Sequence, residues 1–159
     1  MIVRIHLAFC LVIGGIACGA LAQAPASLGC TQSKGYYHCN DVAFLAYLKN
    51  ANTVTVESKP FDRGTMKSLS DLARAMNKTE APQAAEQPAD LTIVLEKTPE
   101  EGMFYGPGGR ELASLYVYSK SRQGTLGQLI WVEEFFGQPD MPWPTVVYNI
   151  IRQFKDSIK

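Results

Sequence analysis

Apolar positions along the chain switch repeatedly between a helical period near 3.6 and a strand period of two. Asn40-Asp41 stands ahead of Phe44, Leu45 and Leu48, which predicts a short capped helix stopped at Lys49-Asn50. Thr53-Val54-Thr55-Val56-Glu57 alternates and is β-branched, so it predicts a strand, halted by Pro60. Gly64-Thr65 opens a second helix with Met66, Leu69, Leu72, Ala73 and Met76 on one stripe, ending at Asn77. Thr79 to Ala89 holds two Pro, four Ala, two Gln and two Glu without a period and reads as a surface connector. Asp90 to Glu96 is a second strand. Because a helix intervenes, it is expected to run parallel to the first. Leu112 to Ser119 and Gln128 to Phe136 predict two further strands joined by a turn over Lys120 to Gly127. Pro142 and Pro144 introduce a last helix, with Val147, Ile150, Ile151, Phe154 and Ile158 as its buried stripe.

This order predicts an α+β fold, a two-layer α/β sandwich with a mixed four-stranded sheet and helices mainly on one face. Strict alternation places Val54, Val56, Leu91, Ile93, Leu95, Ala113, Leu115, Val117, Ile130 and Val132 toward the helices. The opposite parity holds Thr55, Thr92, Val94, Tyr116, Tyr118, Leu129, Trp131 and Glu133, a set too aromatic for a simply solvated face. Three covers are open to it: residues Gln23 to Asn40 or the first helix folding back, a partner surface, or a small ligand. Tyr116, Tyr118 and Trp131 are the candidate partner-binding residues, since Tyr and Trp favour interface centres.

Met1 to Ala22 has a different character: Arg4, then an apolar run from Ile5 to Ile16 interrupted by His6, then Ala20-Leu21-Ala22. It reads as a secretory signal peptide cleaved after Ala22. A retained membrane anchor and a lipid anchor on Cys18 are the alternatives; the run falls short of the roughly 20 residues of a spanning helix. The expected organisation is 1–22 signal peptide, 23–52 disulfide-bearing segment with the first helix, and 53–159 α/β domain. Cleavage removes Cys10 and Cys18 and leaves Cys30 and Cys39 in an oxidising compartment, where they are expected to pair. The mature chain is expected to be periplasmic or secreted, without a transmembrane span.

Composition narrows the function classes. The 159 residues are 47% hydrophobic and 19% charged, an ordinary globular profile. Fifteen Lys+Arg balance fifteen Asp+Glu, so no overall field gathers polyanions, and nucleic acid is not an expected partner. Removing Arg4 with the leader leaves fourteen against fifteen and changes nothing.

Few residues are available for catalysis. With His6 in the leader, His38 is the only imidazole left, too few for a Ser-His-acid site unless that ring serves it. Cys30, His38 and Cys39 are poorly spaced for zinc and would need reduced thiols. Tyr105-Gly106-Pro107-Gly108-Gly109-Arg110 lacks the Lys-Ser/Thr and the following helix of a phosphate loop and reads as a turn. Asn77-Lys78-Thr79 matches a glycosylation sequon, relevant only in a eukaryotic secretory route. Carboxylates are plentiful at Glu96, Glu100, Glu101, Glu111, Glu133, Glu134 and Asp140, and a hydrolase would need two of them across a cleft. Glu133 and Glu134, adjacent on a strand, point to opposite faces and cannot be that pair. No cofactor is called for.

Gly127-Gln128-Leu129-Ile130-Trp131-Val132-Glu133, preceded by Ala-Asp-Leu-Thr-Ile-Val and followed by a helix ending Ile151-Arg152-Gln153-Phe154-Lys155, resembles small exported bacterial proteins of unknown function. In element order this arrangement is similar to the periplasmic α/β domain of the Tol-Pal propeller protein and to the curli-secretion lipoprotein. The resemblance spans about Thr53 to Ile158 and implies a non-catalytic envelope domain; the leader, the missing catalytic set and the aromatic sheet face make a binding or assembly module of the cell envelope, with a protein partner or self-association, the expected function. The alternative from another class is a carboxylate-dependent hydrolase of envelope polymers.

Overall fold

The computed structural model describes residues 29–33, 36–81, 89–99, 111–121 and 126–159. The signal segment with Cys18, Glu100, Glu101, the Tyr105–Arg110 loop, most of the 79–89 connector and half of the 120–127 turn lie outside them.

A two-stranded antiparallel hairpin comes first, β1 (Cys30–Ser33) and β2 (Tyr36–Cys39), and a Cys30–Cys39 disulfide closes its open end. Helix α1 (Asp41–Asn50) follows, with the Asn40 side chain accepting from the Ala43 N–H at 3.0 Å as its N-cap. Phe44 and Leu48 are buried, while Leu45, expected on the same stripe, is exposed.

Strand β3 (Thr53–Lys59) leads to the cis Lys59–Pro60 peptide and helix α2 (Arg63–Ala75). The cap of α2 is Asp62, two residues ahead of the expected start at Gly64. Its carboxylate accepts from the Thr65 N–H at 2.6 Å and the Thr65 hydroxyl at 2.7 Å. Asn77, at φ 56°, takes the left-handed conformation that ends the helix.

The expected four-stranded sheet has five strands. Thr79–Glu80, assigned to the connector, forms a short parallel edge strand, β4, through Thr79 N–H to Asn52 O (2.9 Å) and Ala81 N–H to Val54 O (2.8 Å). With β5 (Ala89–Pro99), β6 (Glu111–Ser121) and β7 (Leu129–Phe136) the order is β4-β3-β5-β6-β7. The β3–β5 pair is parallel, as the intervening helix predicts; β5–β6 and β6–β7 are antiparallel. Helix α3 (Trp143–Ser157) closes the fold. The Trp143 Nε1–H donates to Thr65 Oγ1 at 3.1 Å and Lys97 lies over its ring, so this residue ties α3 to α2 and to β5.

All three helices pack on one face, where Phe44, Leu69, Leu72, Ile150 and Phe154 meet Val54, Val56, Leu91, Ile93, Leu95, Leu115 and Val117. Parity holds along β3, β5 and β6 and fails in β7. Val117 pairs with Trp131 but Tyr118 pairs with Leu129, so Ile130 is an extra residue, a β-bulge. Ile130 and Trp131 both reach the helix side, and the parity of the rest of β7 is inverted. Trp131 stacks on Phe44, with centroids 4.6 Å apart and planes at 21°. Val132 and Glu133 exchange the faces expected of them. Just upstream, a Cβ on Gly127 would lie 1.5 Å from the Ser119 carbonyl oxygen, so only glycine allows β7 to approach β6 there.

At the start of the middle strand, β5, the Asp90 carboxylate accepts from the N–H of Asn52 (2.8 Å) and of Thr53 (3.0 Å) and from the Thr53 hydroxyl (3.1 Å). These bonds, the backbone ones foremost, hold its carboxyl below the usual aspartate range and join the α1–β3 corner to β5. The folded value lies below the unfolded one, so this stabilisation is fully present above the unfolded pKa, about 3.9, and is lost as pH falls through the folded value. Urea unfolding against pH should therefore show an acid limb below about pH 4 that Asp90→Ala flattens. An unchanged limb in the variant would remove Asp90 from that role.

Candidate partner-binding face

Among the described residues no helix packs on the other side of the sheet, and three cross-strand rows define it. They are Thr55–Thr92–Tyr118–Leu129, Glu57–Val94–Tyr116–Val132 and Lys59–Glu96–Ser114–Glu134. Tyr116 and Tyr118 stand two residues apart on central strand β6, so both rings project the same way, 6.3 Å between centroids and tilted by 36°. Both are half-buried, and beside them Thr92 and Val94 are each 1% exposed. The Thr92 hydroxyl has no hydrogen-bond partner among the described residues.

Part of this burial comes from the hairpin. It packs along β7 and brings Tyr37 close enough for its phenol to act electrostatically on both Tyr116 and Tyr118. Of the covers expected, the folded-back N-terminal segment is thus present in part, and the tyrosines are neither fully open nor sealed. The chain then passes to the helix face, where α1 delivers Phe44.

Burial is the largest influence on both phenols and pushes each above its ordinary value. For Tyr116, a hydrogen bond with Ser114 opposes this, while Glu96, Tyr37 and Glu134 add to it. For Tyr118, Tyr116, Glu96, Tyr37 and Glu57 add to it. Both rings are neutral near pH 7 and keep an O–H to donate, beside carboxylates that accept. Burial likewise raises the Glu134 carboxyl.

Of the three candidate residues, the structure unites Tyr116 and Tyr118 and separates Trp131, which lies in the helix layer. Glu57, Glu96 and Glu134 join the tyrosines; in the sequence Glu96 and Glu134 are candidates only as hydrolase carboxylates, and Glu57 is not a candidate. Glu57 and Glu96 share the parity of Thr55 and Val94, so alternation contains the signal for them; Glu134 becomes readable only once the bulge is known.

Glu133, carried by the same shift to the helix side, accepts from Trp131 Nε1–H (3.2 Å), Gln153 and the Ser157 hydroxyl (3.2 Å). It fastens α3 to β7. His38 is exposed on β2, opposite Thr31. Among the described residues, no group of three or more His, Cys, Asp or Glu is arranged to hold a metal, and no helix is long and apolar enough to cross a membrane.

No protein-family model matches the chain, and no curated protein matches it significantly. Solved structures do match in part. The PelC dodecamer from Paraburkholderia phytofirmans is 15% identical over 69% of this chain and 89% of its own, with a TM-score of 0.41. A variant of that protein in another crystal form gives a TM-score of 0.42. A minor lipoprotein from Acinetobacter baumannii is 14% identical over 68% of this chain and 90% of its own, with a TM-score of 0.39. The dodecamer and the lipoprotein in those names describe those proteins. The likeness to the Tol-Pal and curli proteins rests on element order in the sequence alone.

The electrostatics can be checked by phenolate absorbance. Subtracting the titration of Tyr116→Phe/Tyr118→Phe from that of the unaltered protein should leave a component with its midpoint above the ordinary tyrosine value of about 10. Because burial outweighs the carboxylates, Glu96→Gln should lower that midpoint without restoring it. A difference midpoint at or below the ordinary value would show the rings to be solvated.

Proposed function

We propose that this chain is an exported, non-catalytic binding or assembly module of the bacterial cell envelope. Its partner, another protein or a second copy, docks on the helix-free sheet face around Tyr116 and Tyr118. One observation carries the reading: two half-buried neutral phenols on the central strand stand among Glu57, Glu96 and Glu134, on a face that the hairpin covers only in part. Rigid aromatic rings give contact area at small entropic cost, and the carboxylates select a partner that presents Lys, Arg or other hydrogen-bond donors. Trp131 is not part of this surface. The export itself rests on the leader sequence.

A second reading has a specific observation behind it. Glu96 and Glu134 flank Ser114 in one row, and burial holds the Glu134 carboxyl above its ordinary range, as a general acid requires. Two strand spacings put their backbones about 10 Å apart, just beyond the roughly 6.5 to 9.5 Å separating the carboxyl groups of inverting glycosidases. Against it, both cavities described lie on the helix side, away from this row. The binding reading is preferred for that reason.

Cross-linking in the native envelope, followed by identification of what is captured, tests both. Tyr118→Ser and Glu96→Lys should each keep the fold and lower capture at least tenfold. Trp131→Ala should instead lose about 3 kcal/mol of unfolding free energy, because it opens the contact with Phe44. Capture by the folded protein that survives both surface substitutions would sink the binding reading. Release of soluble fragments from envelope polymers, abolished by Glu134→Gln, would establish the hydrolase instead.

A further inference from the structure

The C-terminal ends of all three helices meet at one end of the molecule, around an open groove of about 560 Å³. Four lysines line it: Lys49 from α1, Lys78 just after α2, and Lys155 and Lys159 at the end of α3. Its floor is apolar, with Leu45, Met76 and Ile158, and none of its lining residues is acidic. Two of the lysines have partners. Lys78 Nζ donates to the carbonyls of Leu48 (2.7 Å) and Ala51 (2.5 Å), and Lys159 pairs with Asp156 at 2.6 Å. Lys49 and Lys155 pair with no carboxylate among the described residues.

Cations in the last turn of a helix complement its dipole, which explains why lysines stand here. It does not explain the apolar surface beside them. Helix α1 also exposes apolar side chains beyond the buried Phe44 and Leu48: Val42 is 79% exposed and Leu45, which flanks Leu48, 37% exposed, with Ala46 next to Val42 and Lys49 one turn beyond Leu45. The spacing 42, 45, 46, 49 makes one continuous helical stripe that runs into the groove at Leu45. Exposed apolar side chains beside unpaired ammonium groups combine the two attractions, apolar burial and charge, by which a surface binds an anionic headgroup layer. The chain also enters the described fold near this end. A Cβ on Gly29 would lie 3.8 Å from Gln128, whose carbonyl accepts from the Ser119 N–H at 2.8 Å; Ser119 pairs with Leu91, next to Asp90, whose carbonyl accepts from the Tyr47 hydroxyl of α1 at 3.0 Å.

We infer that the α1 stripe of Val42 and Leu45, with Lys49 and Lys155 at the groove, is a docking surface for an anionic phospholipid bilayer. The apolar side chains enter the headgroup region and the ammonium groups meet lipid phosphates. Anionic lipid is the occupant favoured because Lys49 and Lys155, which no carboxylate among the described residues neutralises, repel cationic partners and gain nothing electrostatically from an uncharged surface. The surface lies in the helix layer, away from Tyr116 and Tyr118, so it is independent of the partner-binding reading.

The test is vesicle co-sedimentation with protein purified from exporting cells in the form those cells make. Vesicles of equal parts phosphatidylglycerol and phosphatidylcholine are compared with phosphatidylcholine alone. Binding should appear on the anionic vesicles and fall sharply near 1 M salt, where screening acts within about 3 Å. At roughly fivefold per charge, Lys49→Gln/Lys155→Gln should weaken partitioning about 25-fold. Leu45→Asp should abolish it. Urea midpoints close to the unaltered protein establish that the variants fold, and Tyr118→Ser should bind vesicles normally, which separates this test from that of the sheet face. Equal binding to neutral vesicles, or unchanged binding by the lysine variant, overturns the inference. So does binding of a soluble short-chain phosphatidylglycerol without vesicle binding, which would assign a single-lipid pocket. A dimer in solution that Leu45→Asp dissociates would assign the stripe to a second copy and likewise overturn it.

Discussion

The central constraint is the period of two in the sheet and the single place where it is broken. Along β3, β5 and β6, alternate side chains face the helices, and Val54, Val56, Leu91, Ile93, Leu95, Leu115 and Val117 are buried against them. Had β7 kept that register, Glu133 would face away from the helices and Val132 toward them. The extra residue at Ile130 reverses this. It sends Trp131 to Phe44 and gives Gln153 and Ser157 of α3 a carboxylate to hold. It also places Glu134 beside Ser114 on the far side. One inserted residue thus fixes both the closure of the core and the charge of the face opposite.

Local signals were legible wherever they sufficed. The β-branched alternation of residues 53–57, the stripe of α2 and the prolines before α3 each describe an element whose burial depends on its own sequence. The Cys30–Cys39 bridge followed from the separation of leader from mature chain. What stayed hidden depends on pairing. Thr79 and Glu80 carry no strand pattern, and they become β4 because Asn52 and Val54 offer backbone groups to the residues there. Asp62 was overlooked as a cap because Gly64 drew the helix start toward itself, although Asp62 followed three residues later by Thr65 is a recognisable capping spacing. The bulge leaves no mark in the residue pattern, since Leu-Ile-Trp-Val suits either register. Of the three candidate residues, the shared face of the tyrosines follows from β6 alone, whereas the place of Trp131 depends on how β7 sits beside β6.

A chain with formal net charge of zero still segregates its charge. Glu57, Glu96 and Glu134 gather on the sheet face, whereas Lys49, Lys78, Lys155 and Lys159 gather where the helices end. The two clusters have different physical origins. The lysines answer three converging helix C-termini, whose carbonyls carry partial negative charge, and Lys78 does so directly by binding two of them. The glutamates form no ion pair among the described residues, although Lys59 stands opposite Glu96 in the sheet. Near the tyrosines they oppose ionisation of the phenols and so help to keep the O–H groups as donors.

That asymmetry bears on how the molecule can be oriented. A sheet covered by helices on one side alone is a two-layer object whose faces are chemically unlike, and the disulfide-closed hairpin passes beside the β7 edge between them. The helix layer exposes Val42 and Leu45 next to unpaired ammonium groups, and the sheet layer exposes phenols next to carboxylates. An anionic surface attracts the first set and repels the second. Approach to such a surface therefore turns the helix ends toward it and the tyrosine face away from it, without a dedicated hinge or linker. The orientation follows from where the charges lie, and it leaves the sheet face free for a partner.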